Sequence, residues 1–335
     1  MKTHDMSTHT FVALLLVAAS LGTATQAQTA TQTQTATQTC RHQTFADGSE
    51  WTSDTVATGV VYYHFCGYDD VSAARQNVDV LALSKKSPYG LRFLYTQQAD
   101  SLSGVVARQR AAGHDVVGGI NGAYEPEAVY IRVDGKNISE VTLPADHLRF
   151  WKHEGAVMLM PGGKPALAFA DRNDGTKAIE RYKKSRATDI LASAPMLIDR
   201  YKPVGTTFVE ERYRNWTTAQ FETLDYEDKN RHQGVRHPRT AVAKTADGTV
   251  LLITVDGRRA GFSEGMSAAE LTRFIERHFH PRYALNMDGG GSTTMVVKGR
   301  GQKETEVVNY PTDNKRQDHW GQRTVGTFLL IERQR

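Results

Sequence analysis

One carboxylate stands directly against three consecutive glycines in Asp288-Gly289-Gly290-Gly291, and a hydroxyl run, Ser292-Thr293-Thr294, follows at once. Each interior glycine costs about 0.5–1 kcal/mol against alanine, so three in a row mark backbone that must reach positive φ or admit a close approach. A bend of this kind aims successive amide N–H groups at one spot, and such a concavity binds anions. It also lets a bulky substrate approach the main chain with Asp288 at the rim. The stretch is not a Walker loop, because Gly-Lys-Ser/Thr is missing. It is not a dinucleotide fingerprint either, because Gly-x-Gly-x-x-Gly leading into a helix is missing. Taken alone it reads equally as a turn between paired strands that Asp288 merely caps.

Other polar groups gather at strand ends beside small residues. Asp256-Gly257-Arg258 closes a predicted strand at 250–255, His237-Pro238-Arg239-Thr240 precedes one at 241–243, and Asn121-Gly122 closes one at 116–120. Asp256 and Asp288 are also candidates to share a hard divalent cation such as calcium. The EF-hand loop and His-Glu-x-x-His are absent, so the sequence leaves a metal open.

The elements that must carry these groups are legible from their periodicity. A helix is expected over 101–112, closed by Gly113 as a C′ glycine. A second is expected over 267–279, where Ser267 and Glu270 make a capping box and Leu271, Phe274, Ile275, His278 and Phe279 share one face. His278 on that face reads as a packing residue. A strand at 283–287 follows and delivers Asp288, and another at 293–297 leaves the glycines. Further strands are expected at 60–65, 78–83, 91–95, 129–133 and 156–160. The glycine stretch thus lies at a strand's C-terminal end, where sheets that carry helices usually hold ligands. The pattern predicts an α+β fold, a mixed β-sheet core with flanking helices, forming a single catalytic domain over 51–335.

The chain has 335 residues, 39% of them hydrophobic and 23% charged, as in a globular protein. Its 41 basic and 37 acidic residues leave +4, and no basic stripe is interleaved with aromatics, so no nucleic-acid partner is implied. Residues 1–27 resemble a secretory signal peptide: Lys2, an apolar stretch over 11–19, then small residues. That stretch is too short for a permanent membrane anchor, which needs about 20 apolar residues. The Thr/Gln-rich tract in 28–50 reads as a linker. A secreted or periplasmic location follows. In that oxidising setting Cys40 and Cys66 are expected to form one disulfide, worth on the order of 3 kcal/mol, two buried thiols being the alternative.

Five blocks occur in the order found in phosphodiester glycosidases, a family that this chain resembles over 116–331. They are Asn121-Gly122-Ala123-Tyr124, Pro238-Arg239-Thr240-Ala241-Val242, Asp256-Gly257-Arg258 with Gly265 and the helix from Ser267, Asn286 through Thr294, and Tyr310-Pro311-Thr312-Asp313 with Arg323. The first block departs from the family's Asn-Gly/Ala-Gly-Phe-Phe, since its second glycine and last aromatic are replaced in Ala123-Tyr124-Glu125. The stretch 171–230 carries no familiar motif and reads as a specificity loop.

The resemblance implies hydrolysis of a sugar linked through its anomeric carbon to a phosphodiester, with a phosphate-linked glycan as partner. A phosphomonoester has a second pKa near 6, so it departs without the strong protonation an ordinary sugar alkoxide needs. On that reading Asp288 is nucleophile or general base, and Asp256 is the second carboxylate. Arg239 and Arg323, with Arg258 behind them, clamp the phosphate through their guanidinium forks. Asn121 binds sugar hydroxyls or an N-acetyl group, and Gly289, Gly290, Gly291, Ser292 and Thr293 complete the anion site. Two other functions remain open at this point: a metal-assisted phosphodiesterase that cuts P–O, and a non-catalytic carbohydrate-binding protein.

Overall fold

A computed structural model describes residues 51–162, 166–170 and 176–334. The expected signal peptide, the linker and Cys40 lie outside the described residues, and with Cys40 lies the expected disulfide; Cys66 is buried in a strand.

Strands β1 (Trp51–Ala57), β2 (Val60–Asp69), β3 (Ala74–Leu83) and β4 (Tyr89–Asp100) lead into helix α1 (Leu102–Ala111) and β5 (Val116–Asn121). Then come β6 (Ile131–Val133), β7 (Lys136–Ser139), β8 (Gly155–Met160), β9 (Ala166–Ala170), α2 (Thr176–Lys184), β10 (Asp189–Ser193) and β11 (Met196–Asp199). Short helices α3 (Thr218–Phe221) and α4 (Lys229–Gly234) precede β12 (Arg239–Lys244), β13 (Val250–Val255) and α5 (Ala268–Phe279). The chain closes with β14 (Tyr283–Asn286), β15 (Met295–Val297) and β16 (Val325–Arg333).

These strands make three sheets, in the orders β1-β2-β3-β13-β12-β14-β11, β7-β6-β10-β8-β9 and β15-β5-β16-β4. The α+β class holds and the described residues fall in one compact unit, but the sheets are not mixed in direction. Every described pairing is antiparallel. The stretch 171–230, expected as a loop, supplies β10 at the centre of the second sheet and β11 at the edge of the first.

Alternation along the strands sorts side chains onto two faces. One face of the seven-stranded sheet (Leu81, Val242, Leu252, Leu285) joins Val117, Ile120, Leu329 and Ile331 of the four-stranded sheet and Ile131, Val157 and Leu191 of the five-stranded one in a shared apolar core. The opposite face (Val80, Ala241, Ile253, Ala284) packs on Leu271, Phe274 and Ile275 of α5. That helix begins with the expected capping box, the Ser267 hydroxyl accepting from Glu270 N and the Glu270 carboxylate accepting from Ser267 N. His278 packs against the ring of Phe274 and accepts from Trp51 Nε1 at 3.3 Å. Helix α1 covers the outer face of the four-stranded sheet through Leu102, Val105 and Val106, and Ser101 caps it by accepting from Gly104 N.

Candidate active site

The glycine stretch is not a hairpin turn, because β14 and β15 belong to different sheets. It is the crossing point between them. Antiparallel pairing sets the end of β14 beside the start of β12, with Asn286 opposite Ala241, and Met287 N donates to Thr240 O at 2.8 Å. The end of β5, from the other sheet, meets them there: Asp288 N donates to Gly122 O at 3.1 Å, and Gly290 N donates to Pro238 O at 2.8 Å. Strand ends thus converge on Asp288 for a reason other than the parallel-sheet rule. Two antiparallel sheets are stitched together at one corner.

A cleft of about 340 Å³ opens at that corner, large enough for a small ligand. It is lined by Asp288, Gly289, Gly290, Gly291, Ser292, Arg239, Arg258 and Arg323 among the expected residues. Gly290 takes φ +61, a left-handed conformation that L side chains rarely adopt. A Cβ on Gly289 would stand 2.7 Å from Pro238 O. The bend's own amides are partly spent: Gly290 N serves Pro238, Ser292 N donates to Gly289 O at 3.2 Å, and Thr293 N donates to Gly290 O at 3.3 Å. Among the described hydrogen bonds the amides of Gly289 and Gly291 have no acceptor, so the expected anion nest narrows to those two.

Asp288 is half-buried beside these amides. Burial raises its pKa to about 6, with the Glu125 carboxylate adding to the rise and Ser292, Lys152 and Arg323 opposing it. The Ser292 oxygen has no hydrogen-bond partner of ordinary geometry, so its help is through proximity. At neutral pH Asp288 is mostly ionised yet remains basic enough to take a proton.

The three arginines differ sharply. Arg323 is held by Asp313, with Nε donating to Oδ1 at 2.7 Å, and a Cβ on Gly291 would meet its Nη2 at 2.6 Å. Arg258 donates from Nη1 to Thr312 Oγ1 at 3.1 Å and is exposed beside Gly290. Both leave N–H groups for a ligand. Arg239, expected as part of the clamp, is 1% exposed. Its guanidinium donates to Met266 O, Gln233 Oε1, His232 O and Val235 O at 2.7–3.1 Å. Four of its five N–H groups are spent inside the protein, and it contributes a buried positive charge at the cleft wall. That charge adds to burial in pushing His237 down to about 3 and His232 well below its ordinary value, so both imidazoles stay neutral.

Three expected residues are not in the cleft wall. Asp256 is 2% exposed and accepts from Asn77 Nδ2 at 2.8 Å, Asn309 Nδ2 at 3.0 Å and Tyr310 N at 3.0 Å. Those donors anchor the segment that carries Thr312 and Asp313, so Asp256 supports the arginines from behind. It does not sit with Asp288 as a second carboxylate, and its oxygens are taken by N–H donors, which leaves the considered calcium without its paired ligands. Among the described residues no group of three His, Cys, Asp or Glu is arranged to hold a metal. Asn121 turns inward: Nδ2 donates to Asp288 O at 2.7 Å, and Oδ1 accepts from Thr240 Oγ1 at 2.9 Å and Thr294 N at 3.1 Å. It positions the acid's backbone. Thr293 is wholly buried, its hydroxyl donating to Thr240 Oγ1 at 3.3 Å.

Sequence reasoning missed other lining residues, among them Glu125, Lys152, Tyr226, Glu227 and His232. Lys152 is 3% exposed and lies 2.7 Å from Glu125 Oε1 and 2.8 Å from Glu227 Oε2. Nothing in a lone lysine announces burial. The signal that existed was Glu125 itself, a charge standing where the resembled pattern has an aromatic.

The phosphodiester glycosidase family model matches residues 105–332. Bovine N-acetylglucosamine-1-phosphodiester alpha-N-acetylglucosaminidase is 30% identical over 182 residues, 52% of this chain and 32% of the bovine one. Its mouse counterpart is 25% identical over 190 residues, 54% and 34% of the two chains, so the match spans about a third of these relatives' length. The zebrafish catalytic domain of that name, auto-inhibited by its pro-peptide, superposes with a TM-score of 0.53 at 16% identity, covering 87% of this chain and 86% of that one. A hypothetical protein from Synechocystis superposes at 0.54 with 12% identity, covering 86% and 64%. At such identities the superpositions show the fold. With the family model spanning most of the chain, the corner built around Asp288 belongs to a member of the phosphodiester glycosidase family.

Proposed function

We propose that this chain is a secreted hydrolase that cleaves a glycosyl-1-phosphodiester in an extracellular or surface glycan. Its products would be a free sugar and a phosphomonoester. The observation that carries the reading is the asymmetry around Asp288. Two exposed arginines and two unspent amides share its cleft, whereas the carboxylate Glu125 in the same wall is held below its ordinary pKa, burial being outweighed by Lys152 and Arg149. An ordinary glycosidase needs a carboxylic acid with a raised pKa to protonate its leaving group. Here the carboxylate beside Asp288 is ionised, which suits a leaving group that needs little protonation. A phosphate does.

Asp288 then acts on C1 directly as nucleophile or withdraws a proton from water that attacks C1. The C1–O bond breaks, the bridging oxygen departs with the phosphate, and water supplies the new anomeric hydroxyl. Arg258 and Arg323 offset the charge gathering on the leaving group. The apolar segment near the N terminus supports export, and no helix among the described residues is long and apolar enough to cross a membrane. Hydrolysis in oxygen-18 water tests the chemistry. Label is expected in the released sugar, and label in the phosphate would instead mean attack at phosphorus.

A further inference from the structure

The cleft wall also carries a charged group, held in place by buried partners, that the reaction itself does not require. Glu125 lines the cleft with its side chain 29% exposed. Two cations reach it, and both bind the same oxygen: Arg149 Nη1 donates to Oε1 at 2.9 Å and Lys152 Nζ at 2.7 Å. Lys152 cannot swing away, because it is 3% exposed, is paired also with Glu227, and lies 4.9 Å above the Tyr124 ring. The carboxylate is therefore fixed in place and kept ionised, and both of its side-chain donors sit on Oε1, leaving Oε2 without one.

An ionised carboxylate with one oxygen anchored and the other uncommitted is a strong, pre-oriented acceptor for a hydroxyl. It equally repels another anion brought beside it. Glu125, Arg258 and Arg323 line the same cleft as Asp288, so a hydroxyl-seeking carboxylate and a phosphate-seeking pair of cations share the wall around the acid. Resting on the functional reading above, we propose that Glu125 is a specificity-determining residue: it accepts a ring hydroxyl of a neutral sugar and rejects sugars that carry their own negative charge. It thereby fixes the direction in which the substrate lies, sugar towards Glu125 and phosphate towards Arg258 and Arg323.

The test is a matrix of two enzymes and three kinds of substrate. Wild type and Glu125→Gln are assayed on a neutral glycosyl phosphodiester, its monodeoxy analogues and the corresponding uronate. In wild type one monodeoxy analogue is expected to lose roughly ten- to hundredfold in kcat/KM, mainly through KM, as befits a hydrogen bond to a charged group. In Glu125→Gln that penalty should shrink to within about threefold, and the ratio of uronate to neutral turnover should rise at least about tenfold. A penalty that is the same in both enzymes overturns the proposal while leaving the functional reading intact. No turnover of any phosphodiester by wild type overturns both. Glutamine keeps an oxygen for Lys152 and Arg149. Should that variant fail to fold, Glu125→Asp withdraws the carboxylate by one methylene, and an undiminished deoxy penalty in it overturns the proposal equally.

Discussion

Asn121 holds the main-chain carbonyl of Asp288 at 2.7 Å through its side-chain amide. This bond joins the end of a strand in one sheet to the residue that leaves a strand in another, so the position of the acid depends on both sheets being in place. Asn121→Ala strands the Asp288 carbonyl and the donors Thr240 Oγ1 and Thr294 N in a buried site. It is expected to lower stability by about 1–3 kcal/mol and kcat by roughly ten- to a hundredfold through misplacement of the acid, with KM changed less. Steady-state kinetics alongside urea denaturation would show it. An unchanged kcat in a folded variant would deny Asn121 its positioning role.

Asp288→Asn should remove most activity, about a hundred- to ten-thousandfold in kcat if the carboxylate takes a proton from water. In wild type, activity should climb with pH through about 6, the pKa to which burial raises Asp288, because only the ionised form can act. The same shift carries a stability cost. The folded chain holds this proton up to about pH 6 and the unfolded chain only to about 3.8, so the associated stability is complete below about pH 4 and lost as pH rises through 6. Asp288→Asn is therefore expected to be more stable than wild type at pH 7, by about 1–3 kcal/mol, and not at pH 4. Thermal melts of both proteins at the two pH values check the sign.

Asp256→Ala separates a catalytic carboxylate from a scaffolding one. It leaves the amides of Asn77 and Asn309 and the backbone of Tyr310 without their acceptor, at a cost of about 2–4 kcal/mol. The segment carrying Thr312 and Asp313 should loosen, and with it the seats of Arg258 and Arg323. KM is expected to rise about tenfold while kcat falls less, since Asp288 is untouched. A loss confined to kcat, with stability intact, would return Asp256 to the chemistry.

Gly289→Ala brings a Cβ against a backbone oxygen that cannot step aside, Pro238 O at 2.7 Å. Shifting the bend should cost about 1–3 kcal/mol and at least about tenfold in kcat. Gly299→Ala is the comparison: it has φ +70 but nothing within 4 Å of the added carbon. It should lose about 1 kcal/mol for the left-handed backbone alone and keep full activity. Parallel assays of the two variants distinguish strain from displacement.

The sequence by itself determined what local physics can specify. Helix α5 starts at a capping box written in Ser267 and Glu270, and β13 runs where a short β-rich apolar stretch and its turn residues put it, because caps, short apolar runs and turns are set within a few residues. The triple glycine beside Asp288 announced a special backbone for the same reason, and Arg258, Arg323 and the acid do meet in one cleft. Tertiary structure alone decided what each charged side chain does there. Arg239 and Asp256 look like site residues in a string of letters, yet four carbonyl or amide oxygens take four of the five N–H groups of the one and three N–H donors occupy the other. Lys152 looks like a surface lysine and is buried between two glutamates. The side-chain partners of Asp256 and Lys152 stand 27 to 179 positions away, and Arg239, with three acceptors 4 to 7 residues off, takes its fourth 27 away, so no short stretch of chain encodes the whole set.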